Sequence, residues 1–240
     1  MTVGVVCLHG LGGTPHSVLP ITAAVHDAGY PTIAPKLPGH GATPADLTTC
    51  TWATWLDAVD AAVSELRHRC RAVALIGQSM GASLALQLAT KRSDIVGVAA
   101  INALVSPADP DAVEHLEHLI SRGRTMQPAG QPDLRDPHAH DSAYPELPLH
   151  ALLELANGGG AVYELLPAIT CPVLVVSSDH DGIVDPANSD TLAARLGGPV
   201  ARLRLAHSAH VAALDLDRER LCRELLTWLA DLTDGSAVPG

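Results

Sequence analysis

Phenylalanine is absent from this 240-residue chain, and its FWY aromatics come to three tryptophans and three tyrosines. A core must therefore be built from Ala, Leu and Val. Basic residues are also scarce: 15 Lys and Arg stand against 26 Asp and Glu, a formal charge of -11. Such a charge repels phosphate backbones and anionic lipid surfaces, so nucleic acid is not an expected partner. No stretch approaches the roughly 18 apolar residues that a membrane span needs, and no stable membrane insertion is expected. The opening residues Met1–Leu8 have neither the basic start nor the apolar length of a secretory signal, which gives a cytoplasmic expectation. Five cysteines (Cys7, Cys50, Cys70, Cys171, Cys222) show no C-x-x-C spacing and are odd in number, so they read as buried thiols and not as a disulfide frame or zinc site. Nothing in the pattern argues for a metal or a cofactor.

What remains is a globular composition, 47% apolar and 17% charged, at a length that favours one large core. Short β-branched runs alternate with helical patterns, which is how βα units feed a parallel sheet. Strands are expected at Val3–Leu8, Thr32–Ala34, Ala72–Ile76, Val96–Ile101, Val173–Val176 and Ala201–Leu205. Several are apolar without alternation, as strands covered on both faces should be. Helices are expected at Ser17–Ala28, at Thr51–Leu66 with Thr51 as N-cap, and at Asp217–Leu232. The rhythm breaks from Ala103 to Ala168, where no strand stands out and 8 of the 18 prolines fall. That segment carries two helical patches, Asp111–Ser121 and Leu149–Asn157, and an insertion of this length reads as a lid or cap. The resulting division is a core in two parts, 1–102 and 169–233, a cap at 103–168, and a tail at 234–240.

The strand Ala72–Ile76 runs into Gly77-Gln78-Ser79-Met80-Gly81 and then a helical pattern. This is G-x-S-x-G in the strand–turn–helix context that gives the motif meaning. The sharp turn projects the Ser79 hydroxyl above the sheet edge and leaves the Met80 amide at a helix start, where an anion is favoured. A serine needs a base and an orienting acid to act as a nucleophile. Downstream, a loop after one strand carries Asp179, Asp181 and Asp185, and a loop after the next carries His207 and His210. Both loops lie at strand C-termini, where open α/β sheets collect their ligands. The opening turn His9-Gly10-Leu11-Gly12-Gly13 lets backbone approach a carbonyl, and the Leu11 amide can pair with that of Met80 to receive an oxyanion. The turn lacks both nucleotide-binding glycine spacings.

These stretches, with Ala34–Gly41 ahead of a Trp-bearing helix, resemble the α/β-hydrolase superfamily. Within it they are similar to the small bacterial carboxylesterases and monoacylglycerol lipases. The resemblance covers nearly the whole chain. It implies a mostly parallel sheet of about six strands with helices on both faces and a small helical cap after the fourth strand. It also implies a catalytic set of Ser79, Asp181 and His210, with Leu11 and Met80 as oxyanion residues. Asp181 occupies the first position of D-x-x-V-x-P and His210 follows a small pair, while Asp179 and His207 are their rivals. The implied activity is hydrolysis of neutral acyl esters, with monoacylglycerols as one such class, through an acyl-enzyme, with a small-molecule ester as partner and no cofactor.

The sequence leaves other readings open. The run Gly77–Ala82 is also similar to the elbow of type II thioesterases, and a pathway-specific lactonase or cyclase fits the same fold. A non-catalytic small-molecule binding protein of that fold is the reading outside enzymes. Monomer and homodimer are equally compatible with the sequence. For an acyl pocket the cap offers Val105, Met126, Leu149, Leu152 and Leu153. His138 and His140 read as solvated residues of a polar loop, and not as metal ligands.

Overall fold

The computed structural model describes residues 2–234, so residues 235–240 of the expected tail lie outside the described residues. Six strands form one parallel sheet: β1 (Val3–Leu8), β2 (Thr32–Ile33), β3 (Ala72–Gln78), β4 (Ile95–Ile101), β7 (Val173–Ser178) and β8 (Val200–Leu205). Their spatial order is β2-β1-β3-β4-β7-β8. The chain therefore leaves β1 toward one edge and returns to its other side with β3. The crevice above the C-terminal ends of β1 and β3 is such a reversal point, the place where open α/β sheets take ligands.

The central strands are apolar on both faces, as the sequence predicts. Along β1, Val3, Val5 and Cys7 pack toward one layer, while Val6 and Leu8 pack toward the other. One face is covered by α1 (Leu19–Asp27) and by α7 (Arg218–Asp234), through Ile21, Val25, Leu221, Leu225 and Trp228. The opposite face takes α2 (Trp52–Arg67) and α3 (Met80–Ala89), with Trp55, Val59, Val63, Leu66 and Leu84 fully buried. A further helix, α6 (Ala187–Arg195), was not expected from the sequence; Leu192 is its buried apolar residue. Among the described residues no helix is long and apolar enough to cross a membrane.

Between β4 and β7 lies the insert, with α4 (Pro110–Ser121), β5 (Met126–Pro128), β6 (Glu146–Pro148) and α5 (Leu149–Leu165). Two expectations need correcting here. The segment does contain strands, since β5 and β6 pair antiparallel with Met126 opposite Pro148. Also, α5 does not stop at Asn157 but continues through Gly158, Gly159 and Gly160. Packing overrides propensity at these glycines. A Cβ on Gly158 would stand 2.0 Å from Trp52 Cδ2, and one on Gly160 would stand 2.9 Å from the Ala108 amide nitrogen. The helix thus presses directly on the start of α2, where Glu154 also accepts the Trp52 N–H at 2.7 Å. Helix propensity alone would make Gly158→Ala stabilising by about 1 kcal/mol. Overpacking against a ring costs about 1–3 kcal/mol and should win. Thermal melting checks this, and a raised Tm would contradict the steric argument.

Candidate active site

The turn after β3 is held in a conformation that few residues adopt. Ser79 has φ 55° and ψ -123°, a strain of order 1–3 kcal/mol. Its own amide donates to Ile101 O on β4 at 2.8 Å, which ties the strained residue to the sheet. The flanking glycines are steric necessities: a Cβ on Gly77 would lie 2.4 Å from the Gly81 carbonyl carbon, and one on Gly81 would lie 2.6 Å from His9 O. Because α3 begins at Met80, the Met80 amide has no acceptor inside the helix. Its N–H is free to point at an anion above Ser79.

Beside this turn runs Gly10–Gly13, closed by the Gly13 N–H donating to Gly10 O at 3.3 Å, with Gly12 at φ 73°. Positive φ at the third turn position is what a type II turn requires, and glycine supplies it. The two turns nearly touch, since a Cβ on Gly10 would come 3.2 Å from Ser79 Cβ. His9 anchors the arrangement from below. Its Nδ1 donates to Gly10 O at 2.9 Å and its Nε2 accepts the Leu37 N–H at 3.2 Å. Burial, and then the neighbouring His40 ring, push its pKa down to about 3, so it is a neutral imidazole. Its role as a structural anchor was not legible in the sequence.

Asp181 and His210 meet as the motif order predicts. His210 Nδ1 donates to Asp181 Oδ2 at 2.8 Å, and the Asp181 side chain is 2% exposed. Asp181 Oδ1 accepts the N–H groups of Ile183 at 2.9 Å and Val184 at 2.8 Å, which fixes the carboxylate plane. With Nδ1 engaged, Nε2 is the ring nitrogen left to serve a hydroxyl. The rivals are engaged elsewhere: Asp179 pairs with Arg204, and His207 is an exposed residue whose backbone N–H donates to Asp217.

Sequence reasoning missed the residues that hold this pair in place. Asn102, at the end of β4 and at φ 48°, donates from Nδ2 to His210 O at 2.9 Å and accepts the Ser178 N–H at 2.9 Å. Asp133, from the insert, accepts the His210 N–H at 3.0 Å. An asparagine ending a strand was the one signal available for the first; the second lies 77 positions from its partner and gave none. Replacing Asn102 with Asp keeps the size but turns a carboxylate toward the His210 carbonyl. Asn102→Asp should lose about 2 kcal/mol or more in chemical denaturation and lower kcat with it, because a buried donor is replaced by an unpaired charge.

Ser79, His210, Leu11 and Gln78 line a cavity of about 370 Å³. Apolar walls come from Leu147, Leu152, Leu155 and Ile183, while Ser17, Asp133 and Asp141 add polar atoms at other points. Of the five apolar cap residues expected at the pocket, Leu152 alone is among these lining residues. Val105 and Leu149 are fully buried in the packing of the insert.

The chain matches the Hydrolase_4 family, described as serine aminopeptidase S33, over residues 3–212. It is 35% identical over 230 residues to a thermostable monoacylglycerol lipase from Bacillus sp. (strain H-257), covering 95% of this chain and 90% of that one. Among solved structures, one from work on the metagenome-derived lipolytic enzymes LipS and LipT superposes with a TM-score of 0.91. It is 30% identical and covers 96% of this chain and 94% of its own. The monoacylglycerol lipase of Paleococcus ferrophilus shares the fold at a TM-score of 0.76 and 19% identity, covering 95% and 94% of the two chains. With the strained serine turn and the buried Asp–His pair already in place, these matches show that the chain belongs to the Hydrolase_4 family and is a serine hydrolase of carboxylester type with the α/β-hydrolase fold.

Proposed function

We propose that the substrate is a small neutral acyl ester of the monoacylglycerol kind, cleaved by Ser79, His210 and Asp181 with the Leu11 and Met80 amides as oxyanion donors. The observation that carries this reading is the 2.8 Å contact between His210 Nδ1 and Asp181 Oδ2 at the edge of the cavity that Ser79 enters. Ser79 Oγ attacks the ester carbonyl while His210 Nε2 takes its proton, and Asp181 stabilises the imidazolium that results. Negative charge on the carbonyl oxygen meets two backbone N–H groups, each worth roughly 3 kcal/mol in the transition state. Collapse expels the alcohol, which receives the proton from His210. Water then repeats the sequence on the acyl-enzyme and releases the acid.

The insert, residues 103–168, acts as the cap between the core parts 1–102 and 169–233, and it supplies most of the apolar wall. Leu147, Leu152 and Leu155 suit an acyl chain, whereas the Ser17–Asp141 hydrogen bond of 2.8 Å offers polar atoms to an alcohol group. All five cysteines are free, which fits a reducing compartment such as the cytoplasm. The test is a rate comparison on 1-monoacylglycerols, p-nitrophenyl esters from acetate to palmitate, and acyl-CoA of matched chain length. The highest kcat/KM is expected on a monoacylglycerol. A preference for acyl-CoA, or for an amino-acid anilide over every ester, would overturn the substrate assignment.

A further inference from the structure

His210 stands on a loop with no regular structure of its own, yet its ring must keep a hydrogen bond to Asp181 while exchanging a proton with Ser79. The loops carrying the two residues are joined near their bases by Asp179 N–H to Leu205 O at 3.0 Å and His180 N–H to Ser208 O at 3.3 Å. Beyond those bonds, the Asn102 side chain between Ser178 and His210 O, and the His210–Asp181 pair itself, one carboxylate oxygen bridges the two loop backbones beside the pair. Asp133 Oδ2 accepts the His210 N–H at 3.0 Å and the N–H of Gly182, the residue after Asp181, at 2.9 Å. The Asp133 carbonyl accepts the Val211 N–H at 3.2 Å. Asp133 is itself held in place. The fully buried Asp215 carboxylate accepts the N–H groups of Arg135 and Asp136 from the insert, the latter at 2.8 Å, and of Ala209 from the histidine loop at 2.7 Å.

We propose that Asp133 is a positioning residue: one carboxylate oxygen, supplied by the insert, sets the spacing between the loop of Asp181 and the loop of His210. The proposal rests on the assignment of Ser79, Asp181 and His210 given above. It makes the insert part of the catalytic framework as well as a cover for the pocket. Because Asp133 also borders the cavity, it could instead touch the substrate, and the two roles predict different kinetics. Displacement of a catalytic group by a fraction of an ångström acts on the chemical step, whereas a lost substrate contact acts on binding.

Three variants read this out. Asp133→Ala, which removes the acceptor, should lower kcat by about 10- to 100-fold with KM within about twofold. Asp133→Asn keeps an oxygen in the same place without the charge, and kcat should return to within about threefold of the wild type, because both N–H groups need only an acceptor. Asp133→Glu keeps the charge but moves the oxygen by a methylene and should behave like the alanine variant. If the alanine variant does not fold, the contrast between Asn and Glu carries the same information. Rates of Ser79 labelling by a fluorophosphonate, which needs no acyl pocket, should follow kcat. A raised KM with unchanged kcat, or an Asn variant as slow as Ala, would overturn the positioning role. So would wild-type kcat in the Ala variant. Those results leave the parent assignment intact as long as Ser79→Ala is inactive, whereas an active Ser79→Ala would fail the parent reading itself.

Discussion

Ser79→Ala is expected to lower kcat on the best ester by about 10^4- to 10^6-fold while leaving the fold and the Tm nearly unchanged. The size of the loss follows from what the hydroxyl does and what stays behind without it. The nucleophile and the proton exchange with His210 disappear together, so that water must attack unaided. The Leu11 and Met80 amides remain, and residual turnover above the uncatalysed rate measures their share. Stability should change little, because among the described residues the Oγ makes no hydrogen bond that holds the turn; the strain at φ 55° is held by the Ser79 N–H to Ile101 O and by the close approach of Gly77 and Gly81. Alanine tolerates positive φ about as poorly as serine does, so the turn survives. Active-site titration with a fluorophosphonate should label one residue per wild-type chain and none in the variant. Ester cleavage at wild-type rate by Ser79→Ala would remove the serine from the mechanism altogether.

The same turn shows why part of this protein is legible in sequence. Gly77 is there because Gly81 and Ala82 backbone atoms lie about 2.5 Å from where its Cβ would stand, a constraint contained within the turn. Gly81 is fixed by the carbonyls that end β1, and together the two glycines give the turn a pattern that can be read without knowing that partner. The central strands are legible for a related reason, since burial on both faces forces unbroken apolar runs such as Val3–Leu8. Legibility ends where the partner is far away or the pattern is short. Strands β5 and β6 have three residues each and both contain proline, which argues against a strand on any sequence criterion. Helix α6 buries Asn188 and Ser189 beside Leu192, so its inner face is polar: Asn188 Oδ1 accepts the N–H groups of Val105 and Ser106. The glycine triplet reads as a break until Trp52 and Ala108 are seen against it. Asp133 and Asp215 leave no trace at all, because a carboxylate that binds backbone N–H groups selects no particular partner residue. The residues proposed for catalysis are therefore readable, while most of what positions them is not.

Between pH 7 and pH 5 the protein should lose stability, and the buried imidazole of His9 is the main cause. In the folded chain His9 takes a proton at about pH 3, against an ordinary value of 6.5, because burial disfavours the cation and His40 stands 4.8 Å away, ring to ring. The unfolded chain binds that proton near 6.5, so below this pH the unfolded state holds more protons than the folded one. Stability is then complete above pH 6.5 and falls with acidification until the folded value is reached, by about 1.4 kcal/mol per unit or about 2 kcal/mol at pH 5. His40 acts in the same direction: burial lowers its pKa as well, and its Nε2 has no hydrogen-bond partner among the described residues. Protonating His9 would also turn Nε2 into a donor facing the Leu37 N–H, setting two donors against each other directly beneath the Gly10–Gly13 turn. Activity should therefore be lost with the fold in this range, through the Gly10–Gly13 turn first. Denaturant melts at pH 7, 6 and 5 provide the measurement, with His9→Gln as the comparison. The variant should be less stable at pH 7 yet lose less of its stability on going to pH 5, and a wild type whose unfolding free energy is level across that interval would refute the assignment.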